Sequence, residues 1–195
     1  MEHQTLEYPR LNIILDSRRV EKYNPLMEVL KEQNITDYEI WPCLIYPDVV
    51  ESINASHKMV VKKAKDDGLK ECCIAEDDLF IPHKNGWEWF LKNKPERFDI
   101  YVGGNYLPFD KMGEGAFKVD CIVGLHLYII HSRYYDTFLD TPNKRHIDTE
   151  QKSKEMYCCY PMAAIQRAGF SANNKSVVNY NGILSDDDIY GGKPK

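Results

Sequence analysis

A chain of 195 residues with 43% hydrophobic side chains has the length and apolar content of one folded domain with a proper core, which argues against a disordered segment. Its formal net charge of -5, with 28% charged residues of both signs mixed along the chain, excludes broad electrostatic attraction to nucleic acid or to an anionic membrane. The opening MEHQTLEYPR lacks a basic segment followed by an apolar stretch, and no run approaches the roughly eighteen apolar residues that span a bilayer, so the expectation is no transmembrane segment and a cytoplasmic location.

In chain order, LNIIL (Leu11 to Leu15) is a short continuous apolar run and reads as a strand. A helix follows in which Val20, Tyr23, Met27 and Leu30 share a face. YEIWPCLI predicts a second strand, and ASHKMVVKKAKDDG a helix capped by Ser56 or Asn54 and stopped at Gly68. KECCIAEDDLFI supplies the next strand, followed by a loop with Pro82 and Gly86, a helix from Trp87 to Lys92, and a strand at FDIYVGG. This βαβαβ alternation, with strands that are apolar throughout, argues for a largely parallel, Rossmann-like α/β sheet covered by helices on both faces. Further on, FKVDCIV and LHLYIIH read as strands and SRYYDTFLD as a short helix. DTEQKSKEMYCCYPMAAIQRAG reads as a helix plus a strand or a second helix. One domain over residues 1–195 is expected, with its core at about 11–180 and a polar tail from about 185.

Six cysteines include the adjacent pairs Cys72/Cys73 and Cys158/Cys159, which lack zinc-site spacing and read as buried, reduced thiols. Sequons at Asn34, Asn54 and Asn174 have no visible secretory route to make them matter. The chemistry concentrates where the strand CCIA runs into Glu76, Asp77 and Asp78. Strand alternation would send Glu76 and Asp78 to one side and Asp77 to the other. Paired carboxylates at the carboxyl end of a strand in an α/β sheet suit Mg2+ or Mn2+ carrying a diphosphate, while a solvated turn or a helix cap is the plainer reading. Asp16, Ser17, Arg18 and Arg19 after the first strand can edge a ligand pocket or cap the next helix. Trp87, Trp89 and Phe90 offer a sugar-stacking platform or simple packing. Gly103 and Gly104 allow close approach of a ligand or only a turn.

An ordered series of segments resembles glycosyltransferase family 25, the lipopolysaccharide and collagen galactosyltransferase type of GT-A fold. The series is IILDSRR at 13–19, Ser56–His57, CCIAEDDLFI at 72–81, DIYVGG at 99–104, GLHLYIIHSRYYDTFL at 124–139, HID at 146–148 and YPMAAIQRAGFS at 160–171. The resemblance implies transfer of a hexose from a UDP-sugar to a hydroxyl of a glycan or similar acceptor, with Mn2+ or Mg2+ and inversion at the sugar. It makes Glu76 and Asp78 a DXD-like motif, with Asp78 the metal ligand, Glu76 facing the donor ribose or a bound water, and Asp77 behind them. Asp16, Ser17, Arg18 and Arg19 then edge the nucleotide pocket, and Ser56 and His57 join the site, although His57 also reads as a core histidine. Asp148 takes the place of the base that deprotonates the acceptor, while Gln151 three residues on has the spacing of a capping box. Under this resemblance a C-terminal histidine or acid often completes the metal site, a place that His131 or His146 could take. The sequence departs from the family pattern after Ser171, where Ala172 and Asn173 stand in place of an acidic residue, and in its short length. A nucleotide-sugar or glycan-binding domain without turnover, or a metal-dependent nucleotidyltransferase, would use the same carboxylates.

Overall fold

The computed structural model describes residues 8–110, 113–171 and 175–190. The first half of the chain contributes β1 (Leu11–Leu15), α1 (Val20–Glu32), β2 (Tyr38–Pro42), α2 (Val49–Asp66), β3 (Glu71–Glu76), β4 (Leu79–Phe80), α3 (Gly86–Lys92) and β5 (Ile100–Val102). The second half contributes β6 (Gly115–Lys118), β7 (Leu127–His131), α4 (Tyr135–Leu139), β8 (Met156–Tyr160), β9 (Ile165–Gln166), β10 (Gly169–Ser171), β11 (Ser176–Val178) and α5 (Asp186–Tyr190). A seven-stranded sheet runs in the order β2-β1-β3-β7-β5-β8-β6. β7 opposes β3 and β5, and β6 opposes β8, while the other five strands share one direction.

The inner strands β1, β3, β5, β7 and β8 are largely apolar and buried, so both faces must be covered, and the two cores alternate residue by residue. Leu11, Ile13, Cys73 and Ala75 pack with Leu26 and Leu30 of α1 and Phe90 of α3. Ile14, Cys72 and Ile74 pack with Val60 and Val61 of α2 and Phe138 of α4. The expected largely parallel α/β sheet with helices on both faces therefore forms. All six cysteines are free, and both adjacent pairs are buried.

Several local expectations are corrected. α1 turns a different row inward: Lys22, Leu26, Val29 and Leu30 are buried, whereas Val20 and Tyr23 are 76% and 45% exposed. Both rows have helical spacing, and packing against the sheet selects the one headed by a lysine. α2 starts earlier than expected because Asp48, not Asn54 or Ser56, caps it, accepting from the Glu51 N–H at 3.0 Å. Ser56 and His57 consequently lie inside the helix. Gly68, at φ +70°, closes it as expected.

The predicted strand through Ile81 breaks after Glu76, and Leu79–Phe80 leave the main sheet to pair with β9. Residues 119–123 extend no strand beyond β6, and the helix expected after Asp148 is replaced by a turn and then β8. In the expected polar tail, Ser185 and Asp188 exchange hydrogen bonds as a capping box, so α5 forms and Ile189 packs with Met162. The tryptophan cluster is packing. Phe90 stacks on Tyr101 at 4.7 Å and Trp89 Nε1 donates to the Pro161 carbonyl at 3.1 Å. Gly104 serves close packing as well, since a Cβ there would lie 2.2 Å from the Ala164 carbonyl oxygen.

Candidate active site

From β1 the chain moves to β2 on one side and then to β3 on the other, so the carboxyl ends of β1 and β3 form the switch point where ligands bind in open α/β sheets. A cavity of about 540 Å3 opens there. Asp16, Arg18, Arg19, Ser56, His57, Glu76, Asp77, Asp78 and Asp148 all line it, and Ser17 is exposed outside it. His146 also lines it. His131 does not: it pairs with Glu71, at the end of β3 opposite Glu76, which removes it as a ligand for anything bound at the carboxylates.

The strand ends at Glu76, so alternation stops there and the three acidic side chains all reach one cavity. Their surroundings differ. Glu76 Oε1 lies 3.0 Å from His57 Nε2, and His57 Nδ1 lies 2.9 Å from the Tyr128 hydroxyl. With both ring nitrogens engaged and the ring buried, His57 holds Glu76 in place and is not itself a free ligand. Burial pushes the Glu76 carboxyl up, but His57, His126 and Arg19 together bring it below its ordinary range.

Asp77 is buried, accepts the Asp16 N–H at 3.1 Å and pairs with Arg19 at 3.2 Å. Burial raises its carboxyl despite Arg19. Asp78 keeps one oxygen, Oδ1, buried and without a hydrogen-bond partner. Burial, reinforced by repulsion from Glu76 and Asp77, pushes its carboxyl up to about 7, against the opposing pull of Lys22 and Arg19.

The β1–α1 loop is held by its own charges. Asp16 accepts from the Arg18 backbone N–H at 3.0 Å and from its guanidinium at 2.6 Å, which holds the Asp16 carboxyl below its ordinary value. Arg19 spans the cavity edge, pairing with Asp77 and donating to the Phe170 carbonyl at 3.2 Å. Ser56 is a tie within the fold: it donates to the Ser52 carbonyl at 2.7 Å and accepts from the Leu44 N–H at 2.8 Å, fixing the loop into α2.

Asp148 sits in a turn, not at a helix start. Its Oδ2 accepts the Gly124 N–H at 2.9 Å and its Oδ1 the Thr149 N–H at 2.8 Å. Gln151 does not complete a capping box; its amide donates to Thr141 Oγ1 at 3.1 Å. The turn is anchored from below by Asn54, which is fully buried and donates to the carbonyls of Asn143 at 2.8 Å and Arg145 at 2.6 Å, so its sequon is inaccessible. Sequence reading missed Asn54 as a scaffold and Lys22 as a lining residue. A lysine at the head of an otherwise apolar helical row was the available signal for the second.

Among the described residues, no group of three or more His, Cys, Asp or Glu side chains is arranged to hold a metal ion. A site with one or two carboxylates does fit, because Asp78 presents a buried oxygen with no partner beside Glu76, and divalent magnesium-type sites commonly take their remaining ligands from substrate phosphates and water.

No family model and no curated protein matches the chain. Among solved structures, it is similar to A197 from STIV, with 14% identity over 88% of this chain and 93% of that one and a TM-score of 0.52. It is also similar to a glycosyltransferase involved in the glycosylation of the major capsid of PBCV-1, with 10% identity over 66% of this chain and 63% of that one and a TM-score of 0.42. A mutant Drosophila beta-1,4-galactosyltransferase 7, in complex with manganese, UDP-Gal and xylobiose, matches with 12% identity over 68% of this chain and 52% of that one and a TM-score of 0.40. At such identities the likeness is one of fold. The architecture is the α/β class with a largely parallel sheet and helices on both faces that the sequence predicts, and no described helix is long and apolar enough to cross a membrane.

Proposed function

We propose that this chain is a glycosyltransferase similar to family 25, moving a hexose from a UDP-sugar to a hydroxyl of a glycan or similar acceptor with Mn2+ or Mg2+. The observation that carries this reading is the unpartnered, buried Asp78 oxygen in a carboxylate turn at the β1/β3 switch point, in one cavity with an Asp148 held by a different segment. Asp78 and Glu76 would hold the cation, which supplies positive charge against the departing diphosphate. His57 fixes Glu76, and Arg19 fixes Asp77, so the turn meets its ligand with little rearrangement. Pro47, Val49, Val50 and Ile53 form an apolar wall suited to a nucleobase.

Asp148 is oriented by two backbone N–H groups, and each oxygen keeps a lone pair for an incoming proton. As the acceptor oxygen bonds to the anomeric carbon, its proton passes to Asp148. The bond from that carbon to the diphosphate oxygen breaks, the electron pair leaves with the diphosphate, and the sugar inverts.

A panel of sugar nucleotides with Mn2+, scored for released nucleoside diphosphate and followed with sugar-labelled donor, tests the proposal. Labelled hexose on an acceptor or on water supports it. Transfer of the nucleotidyl group, or binding with no turnover across the panel, refutes it.

A further inference from the structure

The cations that edge the pocket in the sequence are already engaged: Arg18 with Asp16, Arg19 with Asp77 and the Phe170 carbonyl. Lys22 is different. It stands in the first turn of α1, on the row that continues through Leu26, Val29 and Leu30, and is only 6% exposed. Its side chain lines the cavity, yet among the described residues no hydrogen bond and no ion pair is formed by its ammonium. Its charge is felt by Asp77 and Asp78 without contact. Gly169 of β10 closes over it so tightly that a Cβ there would lie 3.1 Å from Nζ.

Lysines this buried are rare unless paired, and with its stem packed Lys22 presents its charge to the cavity. Lys22 also belongs to the first turn of a 13-residue helix whose N-terminus no side chain caps, and the helix dipole favours negative charge at that end. We propose that Lys22, at the first turn of α1, is a phosphate-gripping residue that binds the diphosphate of the nucleotide directly. This rests on the reading of the cavity as a nucleotide-sugar site. It adds a protein-borne charge that stays with the diphosphate as the sugar departs.

Calorimetry with uridine, UDP and inorganic pyrophosphate, each in Mn2+ and in EDTA, tests the proposal on the wild type, Lys22→Met and Lys22→Arg. Lys22→Met is expected to weaken UDP and pyrophosphate about tenfold to hundredfold, as for loss of a charged hydrogen bond, and to leave uridine unchanged. The loss persists in EDTA, since a direct contact needs no metal, and Lys22→Arg recovers most of it.

Unchanged UDP and pyrophosphate binding in Lys22→Met overturns the proposal. So does an equal loss for uridine, which would mean a collapsed cavity, or a loss confined to Mn2+, which would mean action through the carboxylates. If Lys22→Met does not fold, Lys22→Gln decides, because it keeps a polar end on the stem while removing the charge: a loss of about tenfold or more for pyrophosphate with uridine unchanged supports the grip, and no change refutes it. Lys22-dependent pyrophosphate binding with no contribution from uridine would keep the phosphate site and refute the nucleotide-sugar reading instead.

Discussion

Replacing Asp78 with asparagine should make the metal-free protein more stable while removing its function. The folded state raises this carboxyl from 3.8 to about 7. At about 1.4 kcal/mol per pH unit, that difference bounds the cost of ionising it in place at about 4 kcal/mol. Asp78 is only partly buried, and solvent screening brings the expected gain down to roughly 1–2 kcal/mol.

The sign follows from proton counts. Between pH 3.8 and about 7 the folded state binds more protons than the unfolded chain, so stability falls as pH rises through this window. Below it both states carry the proton and the penalty disappears. In EDTA at about pH 8, Asp78→Asn should therefore melt roughly 2–8 °C above wild type, and at about pH 4.5 most of that gain should be gone. Mn2+ should raise the melting temperature of the wild type and leave the variant unmoved. Scanning calorimetry at the two pH values decides it: a variant less stable than wild type at pH 8, or a gain independent of pH, would refute the account of Asp78.

Asp148→Asn retains one oxygen for the Gly124 or Thr149 N–H and gives up the other, a cost of about 1 kcal/mol, while losing the ability to take a proton. It should bind UDP normally and transfer sugar roughly a hundredfold to ten-thousandfold more slowly; near-full turnover would place the base elsewhere. His57→Leu strips partners from both Glu76 and the buried Tyr128 hydroxyl and should destabilise by roughly 1–3 kcal/mol, measured by urea unfolding. An unchanged midpoint would show that this bridge carries no stability.

The sheet was legible because its strands are apolar runs that end abruptly in charge, as Cys72 to Ala75 do at Glu76. The break after Glu76 was not, because Leu79 and Phe80 are recruited by Ile165 and Gln166, far along the chain, and no local pattern announces a distant partner. The start of α2 was written locally, in Asp48 and Glu51 three residues apart, but Asn54 and Ser56 carry the same polar signal inside the helix. Lys22 reads as a solvated face until Gly169 is brought over it. The acidic residues of the cavity could be named from sequence. Their separate states could not, since these depend on His57, Arg19 and Gly124 arriving from other elements.

Asp78 also has a structural position with a longer reach. Its carbonyl accepts the Arg167 N–H at 2.7 Å, and the two residues after it pair with β9, just before the β10–β11 ribbon that presents Phe170 and Val177 to solvent. The ribbon hangs from the acidic turn as a separate small sheet and has no strand in the main one. Among the described residues β10 and β11 pair only with each other, so an insertion or exchange in the ribbon breaks no ladder of β1 or β3. A lineage carrying this architecture can thus rewrite what its outer wall meets while inheriting the carboxylates intact.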